Sequence, residues 1–225
     1  MNASRTSVLF CTINARPMLI QPDTPSALPL IPGMKNRRLV LASASPRRQA
    51  LISALGIPFE LRPVDVEEVY PDELQGPDIP RFLSELKAKE AARGMSPEEL
   101  IITSDTVVQI DGLTLEKPQS REEAADMLRR LSGRTHEVTT AFCLVDGRHS
   151  DRITTDHDTA SVSFGHVSDE LASHYIQFHQ PFDKAGAYGA QDLIGMCGIH
   201  SLKGSFYTVM GLPMHKIFSA LQSLD

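Results

Sequence analysis

The chain has 225 residues, 41% of them hydrophobic and 22% charged, an ordinary composition for a globular protein of one large or two small domains. Its formal charge of −6 argues against broad attraction to DNA or anionic membrane, so an anionic ligand needs a local basic pocket. No apolar run approaches the roughly 20 residues that span a bilayer. Three scattered cysteines, Cys11, Cys143 and Cys197, with no Cys-x-x-Cys pair, fit a reduced cytoplasmic protein rather than a disulfide scaffold or structural zinc.

Residues 1–33 carry five prolines, two arginines and a single acid, Asp23, with no sustained period. Three readings are open: a targeting peptide, a disordered tail, or sequence upstream of a start at Met34, the last two being favoured. Residues 1–37 are accordingly expected to form an N-terminal extension, with one folded domain over 38–225. That domain opens on Leu39-Val-Leu-Ala-Ser-Ala-Ser-Pro-Arg-Arg48, a short apolar strand, a small-residue turn and a helix start. Ser45 suits the N-cap and Pro46 the first helical position. Backbone amides beside Arg47 and Arg48 make a seat for a phosphate chain, although a capped surface helix with solvated arginines fits the segment equally.

The helix from Arg47 stops at Gly56, and Phe59 to Val66 reads as a second strand leading to Glu67-Glu68. A helix is expected from about Pro80 to Arg93. Leu100 to Thr103 reads as a short buried strand ending at Ser104-Asp105-Thr106, followed by a hairpin over Val107 to Leu115 that turns on Asp111-Gly112. Ser120 and Glu123 form a capping box for a helix to Leu131. Two long β segments, 137–145 and 152–164, precede a helix over 168–178, Gly-rich segments over 185–198, a late strand over 206–210 and a closing helix over 213–224. This order predicts a mixed α/β fold.

Polar clusters stand where elements end. Asp105 is a candidate base or metal ligand, against a self-capping turn Asp. Glu67-Glu68 offers carboxylate oxygens for Mg²⁺, against a solvated acidic pair. Lys117 beside Glu116 is a phosphate ligand or a surface ion pair. In Asp183-Lys-Ala-Gly-Ala-Tyr-Gly-Ala-Gln191, small residues allow close backbone approach while Lys184 and Gln191 bring a charge and an amide that can read a base. There is no P-loop, no Gly-x-Gly-x-x-Gly, no His-Glu-x-x-His and no Gly-x-Ser-x-Gly elbow. Cations plus carboxylates without a nucleophile point to metal-assisted attack by water on a phosphate.

Ser43-Ala-Ser-Pro-Arg-Arg48, Ser104-Asp-Thr-Val-Val108, Glu116-Lys-Pro118, Leu131-Ser-Gly-Arg-Thr-His136, Asp183-Lys-Ala-Gly-Ala-Tyr-Gly189 and Gly211-Leu-Pro213 follow one another as in the Maf-like nucleoside triphosphate pyrophosphatases, which the chain resembles over about residues 38–222. The resemblance implies hydrolysis of a nucleoside triphosphate to monophosphate and diphosphate with a divalent cation, Mg²⁺ or Mn²⁺. It also implies a curved mixed sheet flanked by helices, in two lobes around a cleft as in the inosine-triphosphate pyrophosphatases, and a cytoplasmic homodimer. By the same resemblance Asp105 is the proton acceptor, and Ser43, Arg47, Arg48, Lys87, Lys117 and Lys184 line the triphosphate cleft. Glu68 assists with metal or water, Asp105 and Glu68 being the tentative metal pair. Lys87 is placed through Leu83-Ser-Glu-Leu-Lys-Ala88, where the family's alanine after the leucine is missing.

Arg47, Thr106 and Gln191 match the dTTP/UTP-acting branch. The branch resembling 7-methyl-GTP pyrophosphatases instead has a tryptophan at the position of Arg47, and this chain has none. A 7-methyl-GTP pyrophosphatase and a nucleotide-binding division regulator with little turnover remain as alternatives. No nucleic acid or membrane partner is expected.

Overall fold

The computed structural model describes residues 18–149 and 153–224. Eight strands form one mixed sheet in the order β1-β3-β2-β4-β6-β7-β8, with β5 added to β4. Strand β2 (Arg38–Leu41) is followed by helix α1 (Pro46–Ser53) and by β3 (Phe59–Leu61), which returns parallel to β2. Helix α2 (Asp78–Ala91) then carries the chain to β4 (Glu99–Ile110), parallel to β2 on its other side. From there the sheet is antiparallel: β4 turns through β5 (Leu113–Leu115), and β6 (Thr135–Asp146), β7 (Ile153–Phe164) and β8 (Ile199–Lys203) follow in register.

The side-chain alternation of a strand divides the core. Leu39, Leu41, Leu100, Ile102, Phe142 and Leu144 pack on one face with α1 and the closing helix α7 (Met214–Gln222). Val40, Ile101, Cys143 and Val145 face α2 through Ala88 and Ala91. Farther along the same strands Val108, Val138 and Val162 begin a separate core under α3 (Arg121–Leu131) and α4 (Asp169–His179). Two lobes therefore share three twelve-residue strands, β4, β6 and β7. Between their apolar ends β4 reads Thr103-Ser-Asp-Thr106.

Several expectations change. The described part of the extension, residues 18–37, is not a free tail. Strand β1 (Met18–Ile20) pairs antiparallel with β3, and Ala27 N–H donates to Leu55 O at 2.8 Å. Ile31, with no exposed surface, and Met34 enter the core beneath α7. Short 3₁₀ turns over 28–30 and 32–34 present these side chains, so no helical or strand period announces them. Residues 1–17, with Cys11, lie outside the described residues. Strand β4 continues unbroken through Asp105 because β6 pairs with it from Leu100 to Gln109. The second strand stops at Leu61. The late strand is the short helix α6 (Phe206–Met210), and β8 supplies the strand just before it. Helix α5 (Leu193–Gly198) stands in the Gly-rich stretch. Ser45 sits at the N-cap of α1 without a side-chain bond; the hydroxyl of Ser43 accepts from Ser45 N–H at 3.2 Å instead.

Candidate active site

Strand β2 ends at Leu41 while β4 runs on, so beyond Ile102 the edge of β4 is uncovered until β5 joins it at Val108. The turn 42–45 and the start of α1 arch over this gap. A cavity of about 420 Å³ fills it, reached by Ser43, Arg47, Arg48, Glu68, Lys87, Asp105, Thr106, Lys117 and Lys184. This is the carboxyl end of parallel strands, where open α/β sheets bind ligands. Val108, Val138, Tyr188 and Gly189 give it an apolar side.

Successive residues of β4 point to opposite faces. Asp105 faces α2, where Lys87 Nζ lies 2.5 Å from its Oδ1. The same ammonium is 2.8 Å from Glu68 Oε1, and Lys117 Nζ is 2.8 Å from Glu68 Oε2. Two carboxylates and two ammonium groups thus alternate in one chain. Burial pushes the Asp105 carboxyl above the usual aspartate range, against the pull of Lys87 and Arg48. Burial acts the same way on Glu68, but there the summed attraction of Lys87 and Lys117 overrides it and holds the carboxyl at about 2. Tyr70 O–H donates to Glu116 Oε1 at 3.0 Å, fastening the 62–77 loop that carries Glu68 to the residues following β5.

On the other face Arg48 is held by three acceptors. Its Nε donates to Gly211 O at 2.9 Å, its Nη2 to Thr106 Oγ1 at 3.1 Å and its Nη1 to Ser43 Oγ at 3.4 Å. Burial lowers its pKa from the ordinary value, opposed by the nearby Asp105. Gly211 adopts φ +113°, and an added β-carbon would stand 3.3 Å from Arg48 Nε. Its backbone is therefore fixed by conformation and by contact. Arg47 crosses the cavity mouth to Asp183 Oδ2 at 2.8 Å, and Lys184 Nζ holds the other oxygen of Asp183 at 2.6 Å.

The sequence candidates Ser43, Arg47, Arg48, Glu68, Lys87, Asp105, Thr106, Lys117 and Lys184 thus line one cavity. Gln191 does not; it stands behind Gly189, where an added β-carbon would lie 2.8 Å from its Nε2, and that Nε2 donates to Asp192 Oδ1 at 2.9 Å. Sequence reasoning passed over Asp183, although it directly precedes Lys184 in a quoted motif. His136 is a packing residue: it is buried, its Nε2 is 2.7 Å from Tyr188 OH, and burial pushes its pKa down to about 4.

Comparison with known proteins follows the same stretch of chain. A model of the Maf-like protein family matches residues 38–224. The chain is 45% identical over 188 residues to the dTTP/UTP pyrophosphatase of Bacteroides thetaiotaomicron, covering 83% of this chain and 96% of that one. It is 40% identical over 198 residues to the dTTP/UTP pyrophosphatase of Phocaeicola vulgatus, covering 87% and 100%. With that of Porphyromonas gingivalis it shares 44% over 196 residues, covering 86% and 97%. Among solved structures, a dITP/XTP pyrophosphatase from Mycobacterium abscessus superposes on 56% of this chain and 72% of its own, at TM-score 0.34 and 15% identity. By its family match and its near full-length relatives, the chain belongs to the Maf-like protein family.

Proposed function

We propose that this protein hydrolyses dTTP and UTP to the monophosphate and diphosphate. The observation that carries the reading is one cavity in which a buried carboxylate, Asp105, meets Arg47, Arg48, Lys87, Lys117 and Lys184. The names of the relatives above, matched over almost their whole length, support the substrate.

Phosphoryl chemistry needs positioning and charge rather than a protein nucleophile. Asp105 accepts the proton of a water as its oxygen bonds the α-phosphorus. The bond from that phosphorus to the α–β bridging oxygen breaks, and diphosphate leaves with the electron pair. Arg47, Arg48 and Lys117 stabilise the charge that develops on it. Lys87, 2.5 Å from Asp105 Oδ1, favours the charged form of a carboxyl that burial pushes up.

Among the described residues no three His, Cys, Asp or Glu side chains are grouped to cage a metal. Asp105 and Glu68, bridged by Lys87, are the carboxylates that would hold a hard divalent cation in exchange for their ammonium partners. Such a cation takes one or two carboxylates and completes its shell with water and substrate phosphates. When bound, Mg²⁺ or Mn²⁺ would polarise the phosphoryl oxygens and acidify the attacking water. Among the described residues no helix is long and apolar enough to cross a membrane. A cytoplasmic homodimer completes the reading, tested by sedimentation and cell fractionation.

The deciding experiment is diphosphate release from dTTP, UTP, CTP, GTP and 7-methyl-GTP with Mg²⁺, and again after EDTA. Release from dTTP and UTP, abolished by EDTA, is expected. Preference for 7-methyl-GTP would replace the substrate, and no release from any would favour a nucleotide-binding regulator.

A further inference from the structure

Arg48 enters the cavity as a cation whose direction is set behind the cavity wall. Its Nε and Nη2 donate to Gly211 O at 2.9 Å and Thr106 Oγ1 at 3.1 Å, and its Nη1 to Ser43 Oγ at 3.4 Å. A guanidinium has five N–H bonds in one rigid plane. With three engaged among the described residues, one remains on each terminal nitrogen. Those two are what Arg48 offers to an anion in the cavity. Their aim depends on the acceptors behind them staying acceptors. Gly211 O is a carbonyl and always accepts; Ser104 Oγ, 3.0 Å away, donates to it as well. Thr106 is a hydroxyl and can present either a lone pair or its proton.

Thr140 decides which. It faces Thr106 directly across on β6, and the two hydroxyl oxygens are 2.9 Å apart. Thr140 has no exposed surface and does not line the cavity; its single proton goes to Thr208 O at 2.7 Å. With none left to give, Thr140 accepts the Thr106 proton, and Thr106 turns a lone pair to Arg48 Nη2. The bonds therefore run one way, from Arg48 through Thr106 and Thr140 to the carbonyl of Thr208, and each polarises the next. The end of the relay is itself held. The Thr208 hydroxyl donates to Asp158 Oδ2 at 2.6 Å, and Gly211 N–H also reaches Thr208 O at 3.1 Å.

We propose that Thr140 is a positioning residue for Arg48, holding Thr106 as an acceptor so that the two remaining N–H bonds of the guanidinium meet a phosphate of the substrate. The role rests on the reading of the cavity as a triphosphate site, and nothing in it depends on the base. A valine at 140 keeps the branched shape and removes the relay. The Thr106 proton then has no acceptor behind it, the hydroxyl turns, and the bond from Arg48 Nη2 is no longer secured. Thr208 O keeps the Gly211 N–H, so the change leaves no buried carbonyl without a donor. A serine at 140 preserves the hydroxyl and with it the direction of every bond.

The test is calorimetric binding of inorganic triphosphate, which has the phosphates and no base, to the full chain with Mg²⁺ present. Wild type, Thr140→Val, Thr140→Ser, Arg48→Ala and the Arg48→Ala/Thr140→Val double variant are compared, with thermal melts confirming that each is folded. If Thr140→Val does not fold, Thr140→Cys, whose thiol is a weak donor and acceptor, takes its place with the same expectations. Thr140→Val should raise Kd about tenfold, and Thr140→Ser should bind as the wild type does. In the Arg48→Ala background Thr140→Val should weaken binding no further, because it acts through the arginine; a general packing defect would add its own loss. The inference is overturned if Thr140→Val stays within about twofold of wild type, if Thr140→Ser weakens binding as far as Thr140→Val, or if the two losses multiply in the double variant. A wild type that does not bind inorganic triphosphate also overturns it. The expected pattern in a protein that releases no diphosphate from any nucleotide would overturn the pyrophosphatase reading and leave this inference standing.

Discussion

Lys87 and Asp105 meet at 2.5 Å in the wall of the cavity, both side chains nearly closed off from solvent. Asp105 is drawn up by burial and down by Lys87 and Arg48, so its ionisation at neutral pH depends on its neighbours. Replacing Lys87 by Met removes a downward pull. The acid limb of kcat/KM against pH should then move to higher pH by a unit or more, and Asp105→Asn should abolish the limb while lowering turnover by about 10²–10⁴. A pH–rate series on the three proteins checks this; an unmoved limb in Lys87→Met would mean that Asp105 is not the group titrating.

Arg48 spends its guanidinium fork on Gly211 O, Thr106 Oγ1 and Ser43 Oγ. A lysine keeps the charge but cannot reproduce three fixed directions. Arg48→Lys should therefore raise KM about tenfold and cost about 1–3 kcal/mol of stability through acceptors left without donors. Steady-state kinetics and urea unfolding measure the two effects separately.

His136 titrates at about 4 in the folded protein because it is buried, against about 6.5 when unfolded. The folded state thus binds fewer protons than the unfolded state between those values. Stability should fall with pH from about 6.5 and level off below about 4, by about 3 kcal/mol for this group. Denaturant unfolding at pH 7, 5.5 and 4 measures the slope, and His136→Asn should flatten it over that window. A variant as steep as the wild type would assign the loss to other groups.

Ile31 has no exposed surface and packs in the core shared with Leu221. Ile31→Ala should cost about 2–5 kcal/mol. A variant chain starting at Met34 loses Ile31 and β1 together and should have a lower urea midpoint than the full chain. Equal midpoints would show that residues 18–33 add nothing to stability.

The strand, turn and helix around Arg48 were legible because proline, small residues and an apolar run signal them locally, and so was the capping box, where Glu123 N–H does donate to Ser120 Oγ at 3.1 Å. The cleft's cations and Asp105 came from motif order. Strand β4 was cut short in the sequence because Thr103-Ser-Asp-Thr106 looks like a loop. Its strand geometry comes from β6, which pairs with it along ten successive residues from Leu100 to Gln109.

Strands β4, β6 and β7 pass without a break from one apolar core to the other, with the polar stretch of β4 in between. Such a frame resists bending at its middle, because any rotation of one lobe against the other would have to break ladder hydrogen bonds on both sides of Asp105 at once. Admission and release of a nucleotide must therefore be handled by the segments that border the cavity without belonging to the sheet. These are the 62–77 loop, pinned by Glu68 and Tyr70, and the 181–192 turn, pinned by Asp183 on Arg47. In both, the pins are charged or hydroxyl groups that an incoming triphosphate can compete for, so binding and opening draw on the same contacts.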